Sequence, residues 1–298
     1  MGTRLADTYG PGRFGLSYEL YPPKTEAGMT ELFQHVGELV KFGPSFITCT
    51  YGAGGSTRAK TLDIVGQVRN DYGIPVAAHL TCVGATVDDL RAYLTDAANR
   101  GIEYIMALRG DPPKGEAEFH TVEGGLSHAN ELVTLIRNDF AHFGVAVAGY
   151  PETHQEAPSE YLDLDFLKQK VDAGADVVIS QLFFDNDDFF RFRDRCAGHG
   201  IQVPIIPGIL PVTNLPQIKR VARLCGAKLP KDLLERLESH ADNPQGQFDV
   251  GVYHATRQVE QLVERGCRGV HFYVLNKSRA AATIMRALTL PPKGTIRG

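Results

Sequence analysis

Val177-Val178-Ile179-Ser180-Gln181-Leu182-Phe183-Phe184 is the stretch on which the fold turns. It is almost continuously apolar, as a strand buried on both faces should be, and such strands belong to parallel sheets covered by helices. The period then changes, with Phe189, Phe192 and Cys196 recurring at helical spacing. The same unit repeats in both directions. Upstream, residues 14–20, 46–51, 76–82, 104–108 and 145–149 read as strands. Each precedes a helical pattern: Leu32, Val36 and Leu39; Leu62, Val65 and Val68; Leu90, Tyr93 and Leu94; Leu132, Val133 and Ile136; Leu164, Leu167 and Val171. The fourth of these helices is expected to open near Ser127, a good N-cap. Downstream come a strand at 203–210 and a helix opened by Asn214 and Pro216, matching proline's tolerance in a first turn. An extra helical piece at 232–240 precedes a longer helix at 250–263, a last strand at 269–275 and a helix at 278–288.

Eight strand-then-helix units with no run of strands predict an α/β fold, a single-domain (βα)₈ TIM barrel. An open doubly wound sheet would want a glycine fingerprint after its first strand. Tyr21-Pro22-Pro23-Lys24 stands there instead. The barrel is assigned to residues 14–290, with 1–13 an N-terminal extension and 291–298 a tail.

The chain has 298 residues, 43% hydrophobic and 22% charged, enough for a large core. Its 31 basic and 35 acidic side chains are interspersed for a net charge of −4, and the lack of a basic stripe argues against a nucleic-acid partner. Cys49, Cys82, Cys196, Cys225 and Cys267 are widely spaced and odd in number, which fits buried thiols in a reducing compartment. No secretory h-region, myristoylation motif or membrane-length apolar run occurs, so a cytoplasmic protein is expected.

In a barrel the C-terminal strand ends form the reactive face. Here they are polar: Glu19, Thr50, Tyr51, His79, Thr81, Arg109-Gly110-Asp111, Tyr150-Pro151-Glu152, His154, Gln181, Tyr273 and Asn276. Any one of them has a structural explanation; their convergence from six or more strands points to a site. Glu19, between Tyr18, Leu20 and Tyr21, faces desolvation, which raises a carboxyl pKa and suits proton donation. The alternative is a carboxylate paired with a base such as Arg109. Asp111 has a turn residue as its alternative. No metal-ligand spacing joins His79, His154, Glu152 and Cys82, so no metal is expected. Gly52-Ala53-Gly54-Gly55-Ser56-Thr57 is either an anion-facing turn or an ordinary turn with an N-cap. Residues 112–125 form a long loop that reads as a lid or an idle surface loop. Without a nucleophile elbow, the rim suits a bound organic cofactor.

Nine segments in register resemble the methylenetetrahydrofolate reductase family. They include Ser17-Tyr18-Glu19-Leu20-Tyr21-Pro22-Pro23-Lys24, His79-Leu80-Thr81-Cys82, Ala107-Leu108-Arg109-Gly110-Asp111, Ile205-Ile206-Pro207-Gly208-Ile209-Leu210-Pro211 and His271-Phe272-Tyr273-x-Leu275-Asn276. The resemblance implies a bacterial-type catalytic barrel that binds FAD. It implies reduction of 5,10-methylenetetrahydrofolate to 5-methyltetrahydrofolate with NADH or NADPH, feeding methionine synthesis. It assigns Glu19 as the acid that opens the folate ring and Asp111 as a flavin-tuning carboxylate. Thr50, Tyr51, Ala53, His79, Arg109, Gly110, Tyr150, His154, Ala157, Asp163 and Lys170 are implied to line FAD, and Gln181, Gln217, Tyr273 and Lys277 to face folate. Phe166 and Gln169 replace polar or basic FAD contacts, and Lys277 replaces a common arginine, which cannot be matched by lysine's single ammonium. A homo-oligomer is expected, as for many such barrels. A flavin-independent reductase, a lyase of the same fold and a non-catalytic folate- or flavin-binding barrel are the competing readings.

Overall fold

The computed structural model describes residues 4–51, 58–112, 115 and 119–288. Strands β1 (Gly15–Leu20), β2 (Phe46–Cys49), β3 (Val76–Thr81), β4 (Tyr104–Leu108), β5 (Gly144–Gly149), β6 (Val177–Leu182), β7 (Ile205–Ile209) and β8 (Gly269–Tyr273) close a parallel barrel in chain order. Pairing of β1 with β8, Gly15 opposite Gly269 through Glu19 opposite Tyr273, seals it. Helices α1 (Glu26–Leu39), α2 (Arg58–Tyr72), α3 (Val87–Asn99), α4 (Ala129–Asp139), α5 (Glu160–Asp172) and α6 (Asn186–Gly198) follow the first six strands. Then α7 (Leu215–Cys225), α8 (Lys231–Glu238) and α9 (Pro244–Glu264) lie between β7 and β8, and α10 (Arg279–Ala287) follows β8. The expected TIM barrel is the observed fold.

Successive strand residues point to opposite faces, and that period of two separates core from site. In β1, Leu16, Tyr18 and Leu20 join the apolar layer beneath the helices, which leaves Ser17 and Glu19 to face inward. In β3, Val76, Ala78 and Leu80 do the same, leaving His79 and Thr81 inside. The lower barrel interior is filled by Phe46, Ala77, Tyr104, Met106, Ala146, Ile179 and Ile206. A short 3₁₀ helix, Leu5–Tyr9, plugs the floor, with Leu5 and Tyr9 part of that interior cluster. Glycine at the strand entrances makes room for it: a Cβ on Gly15 would stand 2.2 Å from the Tyr9 ring.

Of the boundaries that differ from the sequence reading, three have a visible reason. The N-cap of α4 is His128, not Ser127; the Glu131 carboxylate accepts both the Ser127 and His128 backbone N–H groups, at 2.7 and 3.1 Å. The longest helix starts at Pro244 rather than 250, because Asn243 caps it and Pro244 occupies its first turn. Strand β6 stops at Leu182, since the carbonyls of Phe183 and Phe184 accept from Gln258 and His254 of α9.

Candidate functional site

The strand tips surround a cavity of about 450 Å³ that Glu19, Thr50, Tyr51, His79, Arg109, Gly110, Asp111, Tyr150, His154, Gln181 and Tyr273 help line. A second lobe of about 330 Å³ shares Leu108, Arg109, Ala148, Tyr150 and His154 with the first and continues over Ala157, Asp163, Phe166, Gln169 and Lys170. Apolar walls come from Val83, Met106, Leu108, Leu182, Leu210 and Val221. A long ligand with a flat apolar head and a polar tail fits two lobes meeting at Arg109. Gly110 is required at the junction. Its φ is +91°, and a Cβ there would meet Val83 Cγ1 at 2.8 Å and Thr81 Cβ at 2.9 Å.

At the bottom of the first lobe Glu19 is held between two imidazoles. Its Oε2 lies 3.4 Å from His79 Nε2 and 3.6 Å from His271 Nε2. Burial pushes the carboxyl pKa up, but the two imidazoles of His271 and His79 outweigh it and bring the group down to about 2. This corrects two expectations. Desolvation does not prevail at Glu19, and its partner is not Arg109, which pairs with Glu156 at 2.6 Å. Ser17 Oγ stands 2.8 Å from His271 Nδ1, fixing the ring from below.

The second lobe has its own charges. Lys170 donates to the Ala148 carbonyl at 2.6 Å, and burial lowers its amine to about 8. Asp163 accepts the His154 backbone N–H at 3.1 Å, and burial raises its carboxyl pKa. Tyr150 and His154 pack edge to face at 4.6 Å. In the first lobe the Tyr273 hydroxyl donates to the Ser180 carbonyl at 2.8 Å, and the Gln181 side-chain Oε1 accepts the Leu182 backbone N–H at 2.9 Å.

Not every residue singled out in the sequence comes to the cavity. Gln217 sits in the first turn of α7 and lines neither lobe. Lys277 lies outside both and pairs with Glu31 of α1. Ala53 and the rest of the Gly52–Thr57 segment fall outside the described residues, as does much of the 112–125 loop. The end of that loop is pinned where Gly125 bridges to Thr86. Asn276 joins the β1 and β8 loops instead, exchanging hydrogen bonds of 2.9 and 2.7 Å with the Tyr21 backbone. Leu275 and Asn276 both hold left-handed φ values, 47° and 55°, beside the lobe that Leu275 lines. Sequence reasoning missed His271 as a site residue. Its signal was there: two positions before Tyr273 on one strand, it had to face the same way.

Among the described residues, no group of three His, Cys, Asp or Glu side chains is placed to hold a metal ion, and no helix is long and apolar enough to cross a membrane. A closed barrel with an acid-bearing, two-lobed cavity at its C-terminal mouth defines a (βα)₈ protein with a candidate ligand site at that face. Within that class the chain belongs to the methylenetetrahydrofolate reductase family, whose profile matches residues 4–289. It is 38% identical over 281 residues to 5,10-methylenetetrahydrofolate reductase of Escherichia coli, covering 94% of this chain and 93% of that protein. It is 39% identical over 289 residues to methylenetetrahydrofolate reductase (NADH) 1 of Arabidopsis thaliana, covering 94% of this chain. The chain spans about half of that plant relative, 49% of its length. Among solved structures, a Clostridium thermocellum protein that binds two copies of 5-methyl-5,6,7,8-tetrahydrofolic acid superposes with a TM-score of 0.64. The match covers 95% of this chain and 98% of that one, and at 14% identity it bears on the fold alone.

Proposed function

We propose that the chain reduces 5,10-methylenetetrahydrofolate to 5-methyltetrahydrofolate in the cytoplasm, with NADH or NADPH as donor and FAD as bound cofactor. Family membership supports the reaction class. The observation that carries the reading is Glu19 at the foot of a lobe roomy enough for stacked flat rings, with two imidazoles against its carboxylate.

The residues fit FAD. Two connected lobes suit its two ends, and the Gly110 bend leaves space that any side chain would fill. Thr50, Tyr51, His79 and Asp111 would hold the ring system. Arg109, His154, Ala157, Asp163 and Lys170 would hold the nucleotide arm, with the half-exposed Phe166 as an apolar face. When bound, FAD supplies two-electron hydride transfer between nicotinamide and folate.

The chain's own part is binding and proton supply. Gln181 and Tyr273 orient the pterin in the first lobe. Asp111 sets the local field, and its negative charge favours the cationic iminium form of the folate. Glu19 delivers the proton that opens the five-membered ring. The ligand-free carboxyl is ionised above about pH 2, so its proton must arrive from a neighbour.

The test is spectroscopic. Purified protein should carry a yellow chromophore that NAD(P)H bleaches and methylenetetrahydrofolate restores. A colourless protein that still reduces folate would replace this reading with flavin-independent hydride transfer. A yellow protein inert to folate would reject it altogether.

A further inference from the structure

Glu19 is the penultimate residue of β1, but the group beneath it comes from β8. His271 is 1% exposed and presents Nε2 to Glu19 Oε2 at 3.6 Å, while Ser17 Oγ sits 2.8 Å from its Nδ1. Phe46 stacks on the ring at 6.5 Å and Tyr273 meets it edge-on at 5.1 Å. An imidazole held at one nitrogen, walled by aromatics and aimed at a carboxylate has one direction in which to exchange a proton.

We propose that His271, fixed by Ser17, is a positioning residue that stores the proton Glu19 delivers, so that the acid is reloaded from inside the barrel while ligand covers the rim. The proposal rests on the folate-reductase reading and deepens it. It names where the proton resides before the reaction and which group returns it.

The other groups facing Glu19 do not serve. These are His79 from β3, Cys49 from β2, Cys225 from α7 and Tyr273 from β8. Burial raises the Cys49 and Tyr273 values and pushes Cys225 up to about 11, so all three hold their protons tightly near neutrality. His79 lines the large lobe itself, where bound ligand would engage it. His271 lines only the small void below. It is therefore the imidazole that stays in contact with Glu19 throughout the reaction.

The balance is simple. Each turnover adds one hydride and one proton to the folate. The nicotinamide donor would supply the hydride, with FAD as its carrier when bound. With ligand bound, His271 Nε2 gives its proton to Glu19 Oε2, breaking N–H and forming O–H. The Glu19 carboxyl passes that proton to a folate nitrogen, breaking O–H and forming N–H, and is ionised again. After product leaves, one solvent proton enters through the open lobe and passes over Glu19 to His271, restoring the starting pair.

Two measurements test this. In stopped-flow assays on the FAD-loaded protein, His271→Gln should slow folate reduction about a hundredfold, the lower end of a lost proton-transfer contribution. Bleaching by NADH should change far less, and the acidic limb of the folate-step pH profile should move. Ser17→Ala should move that limb the same way with a smaller loss of rate. In flavin-free protein, ¹⁵N NMR should show the His271 titration shift on Glu19→Gln, a coupling that a packing role would not produce. An unaltered pH profile in both variants, or an identical titration with and without the Glu19 carboxylate, overturns the proposal while the reductase reading stands. Wild-type protein that bleaches with NADH yet never reduces folate overturns both.

Discussion

At the scale of single residues, position was legible and charge state was not. Glu19 could be placed at the mouth because it stands near the C-terminal end of a strand. Its ionisation depends on His271, some 250 positions away in sequence and brought alongside only when β8 closes on β1. Local neighbours predicted desolvation; distant ones decide the outcome. Glu19→Gln keeps the shape and removes the proton. It is expected to leave NAD(P)H-driven bleaching largely in place while slowing folate reduction by about 10²–10⁴-fold. Equal losses in both half-reactions would show a role in binding or folding instead. Lys170 yields a prediction about stability. Burial holds its amine at about 8, against an ordinary 10.5, and Asp163 restores only part of the difference. Between those values the unfolded chain keeps a proton that the native chain has lost, so this group makes stability rise with pH across the window. The slope is at most about 1.4 kcal/mol per pH unit. Lys170→Met should abolish that rise. Subtracting its urea-unfolding stabilities from those of wild type should leave a difference that climbs from pH 8 to 10.5; a level difference would contradict the assignment.

At the scale of elements, periodicity located every strand and most helices, and failed where polar side chains replace apolar ones at a buried surface. Residues 244–249 carry no apolar stripe, yet they are helical. Gln247 is 4% exposed there and accepts from the Leu215 N–H at 2.7 Å while donating to the His240 and Ala241 carbonyls. A buried amide with its partners supplied packs where hydrophobic counting sees a loop. Gln217 and Lys277, which the resemblance placed near folate, line neither lobe in the ligand-free chain, although Val221 of the same helix as Gln217 and Leu275 just before Lys277 do line the first. One contact of α9 is decided by a missing side chain. Gly251 lies against the β7–α7 connection so closely that a Cβ would be 1.8 Å from the Val212 carbonyl oxygen. Backbone cannot step aside as a flexible side chain would. Gly251→Ala is expected to cost about 1–3 kcal/mol or more, read as a lowered urea midpoint. An unchanged midpoint would mean that α9 docks less tightly than this.

At the scale of the whole molecule, the barrel was readable because eight repeats leave few other ways to bury eight two-faced strands. How its floor is closed was not readable. Residues 1–13 looked like an extension, having neither strand alternation nor a helical stripe, yet Leu5 is 1% exposed and Tyr9 fully buried inside the strand ring. A plug needs only two or three apolar side chains aimed at one hole, too few to form a pattern. Its position divides labour within the fold: stability at the strand entrances, ligand chemistry at the opposite mouth. Leu5→Ala should therefore lower stability by about 2–5 kcal/mol through the cavity it opens, while FAD affinity, measured by fluorescence quenching, stays near the wild-type value. On the proposed reading FAD binds the native state alone, so added FAD should raise the melting temperature of variant and wild type by comparable increments. If the variant instead lost FAD in proportion to its stability, floor and mouth would be one cooperative structure. The separation drawn here between scaffold and site would then have to be given up.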